Sequence, residues 1–286
     1  MKKLIGHLLA LLILSSCAKE QPKVSWLKIE SFQLEENLFA QNPQGELSHA
    51  LTEAFVNMDG KYLGAFQLPI KIPIIGEGQH EIVILPGIIN NGISDTKKRY
   101  PFVEPYTVSV NLLLEDTISI TPITRYYAQT KFLIEDFENA VLKIETDGAS
   151  QAIIEKENDP AILQWGNSYG AILLNPTDSL FIGYTNFGQS LPKQGAEVYL
   201  EMDYMNTNSM LTSVVSYSST TFNDDIHIQI NPQEEPPVWK HIYLDLKEIV
   251  SFRMNATTNE QGFTALLDEA GTSKYIYIDN LKVVYY

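Results

Sequence analysis

Three stretches of this chain alternate greasy residues with rings and acids, the arrangement that lets one strand face pack and the other meet a ligand. On Val198–Met205, Val198, Leu200, Met202 and Tyr204 fall on one side, and Tyr199, Glu201 and Asp203 on the other. On Ile226–Ile230 the isoleucines share one side, while His227 and Gln229 share the opposite one. On Trp239–Leu246, Ile242, Leu244 and Leu246 oppose Trp239, His241, Tyr243 and Asp245. Aromatic rings stack on the C–H faces of sugars, and carboxylates and amides bridge neighbouring hydroxyls. The nine polar and aromatic positions Tyr199, Glu201, Asp203, His227, Gln229, Trp239, His241, Tyr243 and Asp245 therefore read as a candidate sugar-binding face on the outside of a sheet. The competing reading is that Tyr, His and Trp tile an outer face simply because they suit strands. His227 and His241 beside Asp245 are more simply two surface histidines than a zinc site.

The elements that must carry these residues are strands. From Trp26 onward, short runs with period-two alternation are bounded by Gly, Pro, Asn and Asp, and this predicts an all-β fold. Helical patterning is confined to a turn or two at Leu47–Phe55 and at Lys247–Phe252. Thr52–Met58 and Lys61–Phe66 flank Asp59-Gly60, a strong hairpin signal. Tyr106–Leu114 and Thr117–Thr121 predict a second hairpin about Glu115-Asp116. The parsing is a leader at 1–16, a tether at 17–24, a first β-sandwich at 25–127 and a second at 130–286. Residues Asn90–Pro105 hold Lys97-Lys98-Arg99 and Tyr100-Pro101-Phe102. That loop is either a contact point or a long connection whose rings pack on the domain edge.

The leader begins with Lys2 and Lys3, continues apolar from Leu4 to Leu14, and ends in Leu14-Ser15-Ser16-Cys17. It resembles the lipobox of bacterial lipoproteins. The resemblance implies cleavage before Cys17, a diacylglycerol on its thiol, and an acyl chain such as palmitate on the new amino terminus. Two or more chains hold a protein stably to a membrane. Ala18 stands where Asp would retain an enterobacterial lipoprotein in the inner membrane, and Lys19-Glu20 resembles a short export signal of Bacteroidota surface lipoproteins. The expected location is the cell outer membrane, with the periplasmic or surface face left open.

Without Lys2 and Lys3, 18 basic residues face 35 acidic ones, a net charge of −17. That excess argues against nucleic acid and anionic headgroups as partners. With Cys17 the only cysteine, disulfides and thiolate chemistry are excluded elsewhere.

The run Val56–Gly64 with Leu68-Pro69 and Gly78–Ile82 resembles the PEGA-type β-sandwich, an Ig-like spacer or contact module. It departs where that family has Thr-Pro and this chain has Phe66-Gln67-Leu68-Pro69. Phe132–Glu138 and the closing Tyr275–Val283, with Ile278-Asp279-Asn280, resemble the first and last strands of the jelly roll of carbohydrate-binding modules. In that family a structural calcium often bridges those strands, which would fall here to Glu135, Asp136, Glu138 and Asp279. The plainer reading is that these acids cap strand ends. Glu201-x-Asp203-x-x-Asn206 resembles the catalytic strand of jelly-roll glycoside hydrolases, yet Asn206 replaces the acid/base carboxylate that retaining hydrolysis requires. No Gly-x-Ser-x-Gly, phosphate loop or His-Glu-x-x-His occurs. The expectation is a non-catalytic, lipid-anchored envelope protein that needs no cofactor beyond an optional calcium. Its partner is a polysaccharide or, alternatively, another envelope protein.

Overall fold

A computed structural model describes residues 23–286; the leader and Cys17 lie outside them. The fold is all-β, two sandwiches in tandem, with a short helix at Lys247–Phe252 where the sequence places one. At Leu47–Phe55 the expected helical turn is absent. Residues 46–52 run irregularly into the strand Glu53–Met58, because Ala50 and the residues around it lie along the second sandwich.

In the first sandwich, Lys61–Gln67, Glu53–Met58, Gly78–Ile89 and Lys97–Arg99 form a sheet in that order, and Tyr106–Leu112 also pairs with Gly78–Ile89. The facing sheet sets Ser25–Ile29 between Ile70–Ile74 and Thr117–Ile120. The Asp59-Gly60 hairpin forms as read, with both residues at positive φ (49° and 76°). The second expected hairpin does not. Tyr106–Leu112 pairs with Gly78–Ile89, whereas Thr117–Ile120 crosses to the other sheet and lies parallel to Ser25–Ile29. The turn at Glu115 (φ 64°) is thus a corner between sheets.

In the second sandwich, one sheet runs Ile154–Glu157, Tyr169–Leu174, Lys274–Tyr285, Val198–Asn206, Lys240–Asp245, with Lys131–Glu135 also on Lys274–Tyr285. The first and last strands of this jelly roll are neighbours, as expected. The other sheet runs Ile144–Thr146, Leu180–Thr185, Thr258–Leu266, Met210–Tyr217, Phe222–Ile230. Val198, Leu200, Met202, Leu244, Ile276 and Ile278 meet Phe181, Val214, Phe263 and Ala265 in the core between the sheets.

The two sandwiches share a second core. Tyr199, Tyr243 and Val284, from the outer face of the first of these sheets, belong to the cluster around Ile82, Ile84, Ile88, Tyr100, Phe102 and Tyr126 of the N-terminal unit.

Candidate functional site

The parity of Val198–Asn206 is as the sequence predicts, but its second face does not look at water. Tyr199, Glu201, Asp203 and Tyr243 are buried, and only 4% of the His241 side chain is exposed. The N-terminal sandwich covers them. Tyr100 sits edge-on to Tyr199 (5.4 Å) and beside Tyr243 (4.8 Å), and Phe102 reaches Tyr199 at 6.0 Å. The Tyr100 and Tyr126 hydroxyls donate to Glu201, Tyr126 at 2.8 Å. Lys282, opposite Glu201 in register, donates to the Glu46 carbonyl. Asp203 bonds His241 Nδ1 at 2.8 Å and accepts from Asn280 at 3.0 Å. Ala50 N donates to the Tyr243 hydroxyl.

The Asn90–Pro105 loop belongs to the same junction. Lys98 bonds Asp245 (2.6 Å), Tyr199 donates to Asn90 and Asp245 (3.2 Å each), and Asn91 accepts from Asp245 N (2.7 Å). This loop is an intramolecular clamp, not a free contact point. Of the nine proposed sugar contacts, Tyr199, Glu201, Asp203, His241, Tyr243 and Asp245 are thus committed to domain docking. His227 and Gln229 lie on the opposite sheet. Trp239 is half-buried against Trp165 and Tyr169, with its indole donating to the Ile162 carbonyl. The face is not a ligand platform: on Val198–Met205 parity identified which side chains turn together, but not what covers them. On Phe222–Ile230 a register shift opposite Leu211–Ser213 breaks the parity, leaving Ile226 68% exposed while Ile228 and Ile230 pack on the core.

Burial sets the protonation at this junction. It pushes the Tyr100, Tyr126 and Tyr243 hydroxyls well up, with the Glu201 charge adding to the effect, so they remain donors. It lowers Lys282, which Glu201 and Asp203 oppose, and lowers His49 to about 4, helped by His241. For Asp245, burial acts upward, but the hydrogen bond and charge of Lys98 hold it below the usual range. Asn206 donates its amide to the carbonyls of Asn208 and Asn231, so the position a hydrolase would use for its acid ties loops together.

The four acids considered for calcium do not fit one. Glu135 accepts from the Phe137 and Lys143 amides, Asp136 from Glu138 N, and Glu138 from Asn167 and Ser168. Asp279 accepts from Asn280 N. Among the described residues no group of three His, Cys, Asp or Glu side chains could hold a metal ion. Glu135, Asp136 and Glu138 thus hold the loops that follow the strand Lys131–Glu135, while Asp279 lies within the strand Lys274–Tyr285 and caps no strand end.

Asp279 lies opposite Asp203 in register, and burial, with the charges of Asp203, Glu138 and Asp136, raises it from 3.8 to about 8. The folded state keeps this proton where the unfolded chain has lost it. Its contribution to stability therefore falls as pH rises from about 4 to 8, by up to about 1.4 kcal/mol per unit. Asp279→Asn is expected to gain on the wild type over that interval, read from urea midpoints at pH 5 and pH 8.

The outer face open to solvent belongs to the other sheet. Across it run Glu145, Tyr184, Gly262, Ser213 and Ile226 in register, with Tyr217 and Phe222 paired at one end. Gly262 is the device that shapes it. A Cβ there would meet Ser213 Oγ at 2.2 Å and the Tyr184 ring at 3.2 and 3.3 Å. The Tyr184 ring therefore lies over Gly262, and its hydroxyl donates to Asp224 (3.3 Å) on the edge strand. Phe222 stands edge-on to both Tyr184 and Tyr217. An open cleft of about 330 Å³ beside these rings is lined by Glu145, Asp147, Tyr184, Asn186, Tyr217 and Glu260. Tyr217 also borders a second hollow of about 290 Å³ with Asn223, Phe252, Arg253 and Asn255.

Glu260 is spoken for by Thr185, Phe187 N and Gly188 N, and it fixes the loop carrying Asn186, whose amide donates to Glu145 at 2.6 Å. Asp224, Asp147, Glu145 and the Asn186 carbonyl keep acceptor capacity. The cleft lining holds no base, and Arg253 in the adjoining hollow is occupied bidentately by Asp225. The sequence held one signal for this face that went unread: a glycine in mid-strand, which marks close approach by another group.

No protein-family model and no curated protein matches the chain. Among solved structures it is similar to a xylan-binding domain of carbohydrate-binding module family 22 (15% identity, TM-score 0.36, covering 54% of this chain and 93% of that one). It is also similar to the K1 cleaved adhesin domain of Lys-gingipain from Porphyromonas gingivalis W83 (16%, TM-score 0.38, 54% and 97%). A third is a carbohydrate-binding module of the β-sandwich superfamily (11%, TM-score 0.36, 81% and 84%).

Proposed function

We propose that this protein binds a polysaccharide on the outer face of the sheet carrying Tyr184 and Tyr217. The observation that carries the reading is the Tyr184 ring laid over Gly262 beside an open cleft rimmed by hydroxyl acceptors. Tyr184 would stack on a sugar ring, Tyr217 would extend the platform toward the second hollow, and Glu145, Asp147 and Asn186 would bridge hydroxyls. The chain would be held at the outer membrane by acyl groups on Cys17, with the first sandwich as a stiff spacer and no catalytic step.

The lining is acidic and without a free base, so the groove should take neutral or amino-bearing chains and repel uronates. Affinity electrophoresis of the full mature chain checks this: retardation by a neutral glucan that Tyr184→Ala abolishes, and none by polygalacturonate at low salt, is the expected result. Absence of retardation on every polysaccharide would contradict sugar binding. It would favour the second reading, an envelope protein as partner, for which the adjoining exposed side chains Leu38 and Phe39 beside Glu35 and Arg125 offer the surface.

A further inference from the structure

We infer that the end of the first sandwich where residue 23 enters it lies on the lipid surface, with Ile75, Leu113 and Leu114 inserted at the boundary between headgroups and acyl chains. The inference rests on the proposed lipidation of Cys17 and is independent of sugar binding. These three side chains are 76%, 54% and 39% exposed. They sit at one pole. Glu115 N donates to the Val24 carbonyl, Trp26 N to Asp116, and Ser25 Oγ to Gly76. The corner 113–116 and the loop after Ile74 therefore flank the first strand's beginning. Turn tips are ordinarily built from Gly, Pro, Asn, Asp and Ser, and nothing in the backbone of this corner calls for two exposed leucines.

The chain outside the structure says what covers them. Five residues separate Cys17 from Lys23, a reach of about 20 Å at full extension. An acylated Cys17 thus cannot let this pole leave the bilayer, and a greasy pole held at that distance buries itself in the lipid it meets. Charge selects the lipid. Glu77, Glu115 and Asp116 lie at the pole, and Lys23 is paired with Glu115 at 3.5 Å. The matching surface is zwitterionic rather than anionic.

The consequence is a fixed polarity. Gly78 pairs with Leu112 at this pole, and the same strand ends at Ile89, next to Asn90, which bridges Tyr243 of the second sandwich. Twelve residues of strand span about 36 Å, so the second sandwich stands away from the lipid.

The experiment uses the full chain lipidated at Cys17, in phosphatidylcholine vesicles with bromine on the upper acyl chain. Trp165→Phe and Trp239→Phe leave Trp26, one residue in from the pole, as the reporter. The expected result is at least a twofold drop in Trp26 emission against unbrominated vesicles. It should be abolished by Ile75→Ser, Leu113→Ser and Leu114→Ser together, while the protein still floats with the vesicles. Flotation without quenching, or quenching that the triple substitution leaves intact, overturns the inference alone. Failure to float overturns the anchor along with it.

Discussion

Lys282→Ala is expected to cost about 2–5 kcal/mol of stability, the range for truncating a large, fully buried side chain. Lys282 is fully buried, lies opposite Glu201 across adjacent strands, and donates to the Glu46 carbonyl of the other sandwich. Its removal leaves the Glu201 carboxylate with the Tyr100 and Tyr126 hydroxyl donors but no nearby opposing charge. Urea unfolding of the full chain reads the loss as a lowered midpoint. The single variant Lys282→Met and the double variant Glu201→Gln, Lys282→Met both retain most of the volume. The double should lose clearly less stability than Lys282→Met, and this non-additivity separates a coupling of charges from simple packing. Equal losses in these two would mean that Lys282 does not offset the Glu201 charge. The same network makes the second sandwich a poor candidate for study by itself. Cut at residue 130, it would bare Tyr199, Tyr243, Asp203 and Glu201 on one continuous face.

The second large effect falls on the open sheet. Tyr184→Ala is expected to lower polysaccharide affinity at least tenfold, about 1.4 kcal/mol, with a modest fall in the urea midpoint because the ring is half-buried over Gly262 and beside Phe222. Gly262→Val reaches the same site by another route. Its side chain would take the space that Ser213 Oγ and the Tyr184 ring now occupy, lifting the ring and the platform with it. Overpacking at such a contact costs about 1–3 kcal/mol of stability, so Gly262→Val should lose binding with the Tyr184 side chain still present.

What the sequence made legible was local. The Asp59-Gly60 hairpin, the period-two strands and the inward set Val198, Leu200 and Met202 follow from turn chemistry and side-chain alternation within a few residues. Neighbouring first and last strands of the second sandwich were legible from the resemblance to a jelly roll. What failed was non-local. Alternation divides a strand into two faces, but a face turned from one core can be the wall of another. Tyr199 and Tyr243 read identically in either case. Only the partner segments, Gly78–Ile89 and the Asn90–Pro105 loop, roughly a hundred residues or more away in sequence, decide between water and protein. Thr117–Ile120 failed for the same reason, since a strand can leave its hairpin neighbour for another sheet without any change in its own pattern. The Tyr184 face is hard to read because its strands carry small residues, Ser213 and Gly262, which look like turn material until the ring lying over Gly262 is seen.

Which sheet meets the ligand is settled most directly by isothermal titration of the full chain with a neutral oligosaccharide of the polysaccharide it retains, comparing wild type with Tyr184→Ala and Tyr243→Phe. Binding weakened at least tenfold by Tyr184→Ala and unchanged by Tyr243→Phe is the predicted result. Wild-type affinity in Tyr184→Ala, or loss of binding confined to Tyr243→Phe, would contradict a site on the open sheet.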